Sequence, residues 1–111
     1  MTGYARRRLK ATAVLLALAA PIGSAGSAET IRVEVKRLAF APAQITARVG
    51  DTIEWVNEDF VAHTATARDG QWDVQLPPHA TGRTLVKRSG RIDYYCRYHP
   101  NMKGTITVAP K

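Results

Sequence analysis

The sequence predicts an all-β fold, a sandwich or barrel of short antiparallel strands. Three observations carry that expectation. The dominant hydropathy period after residue 28 is two, turn signals recur between the alternating runs, and no stretch of ten residues beyond that point keeps a helical period. Seven or so strands in about 83 residues leave room for one domain.

Each element has its own signal. Ile31, Val33 and Val35 alternate with Arg32, Glu34 and Lys36, which makes a first half-buried strand. Ile45 to Val49 forms the next and ends at the Gly50-Asp51 turn. Ile53 and Trp55 then alternate with Thr52 and Glu54. Val61, His63, Ala65 and Ala67 share one phase of the following strand, and Arg68-Asp69-Gly70 turns it. Trp72 to Leu76 is a weaker segment closed by Pro77-Pro78, and Thr81 to Lys87 is a strand closed by Ser89-Gly90. Ile92, Tyr94 and Cys96 point one way while Asp93, Tyr95 and Arg97 point the other. Ile106 and Val108 alternate with Thr105 and Thr107 in the last strand. Trp55 and Tyr94 fall on core phases; Trp72, Tyr95 and Tyr98 are open between partly buried packing and a partner surface.

Residues 1–28 have the layout of an export signal. Arg6, Arg7, Arg8 and Lys10 form a basic start, Ala11 to Ala20 is a ten-residue apolar run, and Pro21 gives way to small residues. Ten apolar residues are too few to span a bilayer, which takes about 20. The expected division is a cleaved signal over 1–28 and one mature domain over 29–111, periplasmic or otherwise exported, with cleavage after Ala28 or after Ala25. The charge must be read accordingly. The whole chain carries +7, but the leader holds four of its sixteen basic residues and none of its nine acidic ones, leaving a mature net charge of +3. Export and that modest charge argue against a nucleic-acid partner.

A domain of this size is marginal on core burial alone and often relies on a metal or on disulfides. Cys96 is the only cysteine, so no disulfide forms within the chain. A lone cysteine in an exported protein is a buried inert thiol, half of an intermolecular bridge, a nucleophile or a metal ligand. Its neighbours bear on the choice. Cys96-Arg97-Tyr98-His99-Pro100-Asn101-Met102 offers a thiolate, an imidazole and a thioether from one loop, and inward-facing His63 can add a second imidazole. A thiolate with two imidazoles in a plane and a weak axial thioether is the ligand set of a blue-copper electron-transfer site. His79, in Pro77-Pro78-His79-Ala80, reads as a solvated loop residue.

The mature chain resembles the cupredoxins, the plastocyanin- and amicyanin-like members among them. The Cys-x-x-His-x-x-Met spacing of residues 96–102 is the short version of that family's ligand loop. Phe40-Ala41-Pro42, the run Gly50-Asp51-Thr52-Ile53-Glu54-Trp55-Val56-Asn57 leading to His63-Thr64, and Gly90 to Cys96 fit the family pattern. Gly104 to Val108 looks like its closing strand, and the resemblance covers about residues 31–109. It implies a Greek-key antiparallel β-sandwich holding one copper ion on His63, Cys96, His99 and Met102. It also implies a hydrogen bond from the Thr64 amide to the cysteine sulfur, and electron exchange through the edge of His99.

The implied function is one-electron transfer by a monomer; a copper carrier with the same ligands is the alternative. An enzyme is not expected. Multicopper oxidases and nitrite reductases need more histidines than the three present, and a binuclear copper electron site needs two cysteines. A Cys–His hydrolase would need an orienting group and an oxyanion hole that no motif supplies. Zinc on two histidines and a cysteine would leave Met102 without purpose. The expected partners are redox proteins such as a c-type cytochrome or a dehydrogenase. Residues 83–111 carry seven basic side chains and one acidic, and Arg83, Lys87, Arg88, Arg91, Arg97 and Lys103 form a candidate collar for an acidic docking patch.

Overall fold

The structure, a computed structural model, describes residues 27–111. The export signal expected over residues 1–28 therefore lies, but for its last two residues, outside the described residues. Among the described residues are nine strands: β1 (Thr30–Lys36), β2 (Ala39–Ala41), β3 (Gln44–Arg48), β4 (Thr52–Asn57), β5 (His63–Ala67), β6 (Asp73–Leu76), β7 (Thr81–Leu85), β8 (Gly90–Tyr95) and β9 (Lys103–Ala109). They form two sheets, β2-β1-β4-β7 and β3-β9-β8-β5-β6. This is the all-β sandwich the period-two pattern called for. Two of its pairings, β1 with β4 and β3 with β9, are parallel, so the sheets are mixed rather than wholly antiparallel. No described helix is long and apolar enough to cross a membrane.

The alternating residues meet between the sheets. Val33, Val35, Ile53 and Trp55 come from one sheet and Ala65, Leu76, Ile92, Tyr94 and Ile106 from the other, all buried. Each large apolar side chain so buried contributes about 1.5–3 kcal/mol. Trp55 crosses the middle, its ring 5.5 Å from Tyr94 and 5.1 Å from Trp72. Trp72 is thus partly buried core. Tyr95 lies under the Arg68 guanidinium at 4.2 Å, and Tyr98 is exposed.

One close approach fixes the approach to the site. Tyr94 stands opposite Gly104 in the β8–β9 register, and a Cβ at residue 104 would come within 2.3 Å of the tyrosine ring. Only glycine leaves room for the ring, which lies two residues before Cys96. Burial of that phenol pushes its pKa up to about 12.

Strand β2 has no counterpart in the period-two reading, because three residues are too few to show an alternation. Arg37 and Leu38, both left-handed at φ 53° and 59°, turn the chain into it. Val61 also departs from expectation: β5 begins at His63, and Val61 lies in the preceding loop, exposed. The strand directions gather the 37–38 turn and the loops 58–62, 77–80 and 96–102 at one end of the sandwich. The loops 49–51, 68–72 and 86–89 lie at the other.

That division breaks up the basic collar. Lys87, Arg88 and Arg91 sit at the end opposite Cys96, while Arg83 is bound to Glu54 at 2.6 Å on the sheet face. Of the six, only Arg97, within the 96–102 loop, and Lys103, beside it, lie at the Cys96 end. Arg97 is itself paired with Asp73 at 3.3 Å. Residues close in sequence were carried to opposite ends because a strand of six residues, β8, runs the length of the sandwich between them.

Candidate metal centre

His63 opens β5 and is fully buried, and Cys96 follows β8 and is fully buried as well. His99, partly exposed, stands three residues further on. The Cys96 sulfur lies 3.7 Å from Nδ1 of His63 and 3.6 Å from Nδ1 of His99. The ligand atoms of all three residues lie within 4.8 Å of one another. A first-row ion bonded to sulfur at about 2.3 Å and to nitrogen at about 2.0 Å, with about 120° between the bonds, separates those atoms by about 3.7 Å. The donor set and its spacing fit a trigonal metal site.

The loop between β8 and β9 is closed by its own backbone. The Cys96 amide donates to the Met102 carbonyl (3.1 Å), the His99 amide to the Cys96 carbonyl (3.3 Å) and the Met102 amide to the His99 carbonyl (2.8 Å). These bonds bring Met102 back beside Cys96, where it is buried. His79 stands apart. It is exposed, at φ 62°, with its ring edge-on to Phe60 at 5.0 Å.

The sulfur and the start of the loop are tied to β5. The Thr64 amide points at the Cys96 sulfur from 3.4 Å, as the resemblance implied. The Thr64 hydroxyl oxygen accepts from the Arg97 amide at 2.9 Å and is bonded to the Thr66 hydroxyl at 2.8 Å; Thr66 donates to Asp73 at 2.7 Å. Such bonds orient the ligands and tune a bound metal.

Two further residues hold His63: Asn57, the end of the run that fits the family pattern, and Asp59, which no motif marked. Asn57 is buried and donates to the carbonyls of Val61, Leu76 and Pro77 at 3.0, 2.9 and 3.1 Å, while its own carbonyl accepts from the Asp59 amide at 2.9 Å. The 58–62 loop is thereby fastened at both ends. Asp59 in turn lies 2.8 Å from Nε2 of His63. Burial alone would raise the Asp59 carboxyl, but bonds from the Leu38 amide, the His63 ring and the Arg37 amide outweigh it and hold the group below the usual carboxylate range. An ionised carboxylate only accepts, so Nε2 of His63 donates to Asp59 while Nδ1 faces the sulfur.

The end of the sandwich at which His99 is partly exposed also exposes large apolar side chains. Phe60 is 86% exposed, and Leu38, Val61 and Tyr98 are each about half exposed. Large side chains this open to water mark an interaction surface more often than a lone exposed leucine does.

Comparison with known proteins agrees with the geometry. A model of the cupredoxin-like domain matches residues 9–108. The methylamine utilization protein MauL of Methylorubrum extorquens is 32% identical over 89 residues, covering 77% of this chain and 78% of that protein. Amicyanin-alpha of the same organism is 27% identical over 104 residues, covering 88% and 87%. Plastocyanin of Nostoc punctiforme is 30% identical over 105 residues, covering 74% and 76%. Among solved structures, a Cu(I) form of an amicyanin variant superposes with a TM-score of 0.63 at 23% identity, over 72% of this chain and 82% of that one.

Proposed function

The chain belongs to the cupredoxin-like family, and from that membership we propose that it is a small blue copper protein, carrying single electrons between redox proteins. The ligands are His63, Cys96, His99 and Met102. The observation that carries this reading is the placing of one buried thiolate 3.6 and 3.7 Å from two imidazole nitrogens. Copper bound there supplies a one-electron couple, Cu(II)/Cu(I).

The chain's own residues do the rest. Cys96 is the strong donor, shielded from water, with its charge moderated by the Thr64 amide. His63 and His99 suit both oxidation states, and the weak thioether of Met102 helps set the potential. The sandwich holds the donors in one place, so little has to move when an electron arrives. His99 alone of the three clustered donors reaches the surface, and electrons enter and leave through its edge. The protein is a carrier and not an enzyme: no bond is made or broken.

Leu38, Phe60, Val61 and Tyr98 around His99 form the contact face for redox partners, of which a c-type cytochrome and a dehydrogenase are the expected kinds. Electron exchange takes place in the periplasm or an equivalent compartment, after removal of residues 1–28.

The copper-loaded protein is expected to be intensely blue and to bleach reversibly on reduction. Cys96→Ser is expected to abolish the colour while leaving most of the fold. A colourless Cu(II) form of the unmodified protein overturns the reading.

A further inference from the structure

We propose that Asp59 is a positioning residue of the metal centre, so that the β1–β2 turn, more than twenty residues before His63, belongs to that centre too. The inference rests on the copper reading above. Its geometry does not.

Three N–H groups converge on this one carboxylate. The Arg37 amide donates to Oδ1 at 2.7 Å, the Leu38 amide to Oδ2 at 3.1 Å, and the His63 ring nitrogen Nε2 shares Oδ2 at 2.8 Å. A carboxylate suits three donors because it has two oxygens and no hydrogen; an asparagine in its place offers one oxygen and turns an N–H₂ towards the remaining donors. The two amides reach it because Arg37 and Leu38 are consecutive left-handed residues, neither of them glycine. Successive amides in such a turn form a concavity that holds an anion. The side chain of Leu38 faces water, so no burial of its own accounts for the conformation. The Asp59 carboxylate is the one partner that both amides share.

The consequence falls on His63. Asp59 is held from the turn side and by its own amide on Asn57, so its free lone pairs have one direction left, towards Nε2. That fixes the tautomer of His63 and its ring orientation. A carboxylate on the outer N–H also makes the inner nitrogen a stronger donor, which favours Cu(II) over Cu(I). Asp59 thus lowers the reduction potential without touching the ion.

The test uses Asp59→Asn, with Asp59→Glu as the conservative variant and Glu58→Gln as a control that removes an exposed neighbouring charge outside this contact. Loss of an outer partner costs about 10–100-fold in metal affinity. With the loss falling on Cu(II), Asp59→Asn is expected to shift the Cu(II)/Cu(I) preference by about tenfold, read as a potential higher by about 59 mV. Asp59→Glu is expected to recover part of the shift and Glu58→Gln to give much less. A second measurement needs no variant: in the diamagnetic Cu(I) protein, the Nε2 proton of His63 is expected as a slowly exchanging NMR signal. A missing protected proton, or equal shifts from Asp59→Asn and Glu58→Gln, overturns the proposal. An unmodified protein that takes up no copper overturns the copper reading instead, and the same proton sought in the metal-free protein then decides the role of Asp59.

Discussion

The amide of Thr64 points at the sulfur of Cys96 from 3.4 Å, across 32 residues of sequence, while the hydroxyl oxygen of the same threonine accepts from the amide of Arg97 at 2.9 Å. One residue of β5 therefore holds both the ligand and the residue after it. Thr64→Val keeps the first bond and the shape but removes the second, leaving the Arg97 amide without its acceptor. The expected cost is about 1–3 kcal/mol, seen as a lower unfolding midpoint of the metal-free protein.

Gly104→Ala should be costly out of proportion to one methyl group. The added Cβ meets the Tyr94 ring at 2.3 Å, and the ring is enclosed by Phe40, Trp55 and Trp72 at centroid distances of 4.7, 5.5 and 5.6 Å. Overpacking of this kind costs about 1–3 kcal/mol or more. Denaturant unfolding measures it, and the displaced β8 should broaden the Cu(II) absorption as well.

Asp51 ties the start of the domain to the turn that joins β3 to β4. Its buried carboxylate accepts from the amides of Glu29 and Arg48 at 2.9 and 2.8 Å, and these two bonds, Glu29 first, hold its pKa below the ordinary value. A depressed folded pKa means that the stabilisation is complete above the unfolded value, about 3.9, and disappears as pH falls through the lower folded one. Asp51→Asn is expected to flatten acid unfolding over that interval. Cleavage after Ala28 would turn the Glu29 amide into an ammonium beside the same carboxylate, a stronger charge-assisted contact. Mature protein beginning at Glu29 is then expected to outlast a version with one extra alanine in thermal unfolding.

The split of the basic residues makes a prediction about steering. Lys103 flanks the metal end, whereas Lys87 and Arg88 lie at the other. Charges near a contact face change association rates, and distant ones are screened within about 8–10 Å. Lys103→Glu is expected to slow electron transfer to an acidic partner a few-fold at low salt. The double change Lys87→Glu and Arg88→Glu is expected to leave the rate nearly unchanged. Stopped-flow kinetics at two ionic strengths measures both.

What was legible in the sequence was whatever repeats with the strand. Val33 and Val35, Ile92 and Tyr94, and Ile106 and Val108 announced their burial through period two, and the same phase put His63 and Cys96 inside. The Cys-x-x-His-x-x-Met spacing of residues 96–102 announced the loop. Period two failed where a side chain overruled it: Asn57 captures the Val61 carbonyl, so Val61 ends in a loop and outside. It is silent on β2, and on Asp59, whose partners are backbone amides 21 and 22 residues upstream. The basic run was misleading because nearness along a chain is not nearness in a sandwich.

The backbone closure of residues 96–102 has one more consequence. Its three bonds join Cys96, His99 and Met102 to one another and not to the rest of the molecule, and its two ends are those of adjacent, paired strands. The stretch is a cassette whose ties to the frame are the two Thr64 bonds, to Cys96 and Arg97, and the Arg97–Asp73 pair. A ligand loop of different length or composition can be exchanged between β8 and β9 as a unit, leaving His63 and its supports on the host frame, so that one scaffold can be re-tuned by replacing seven residues.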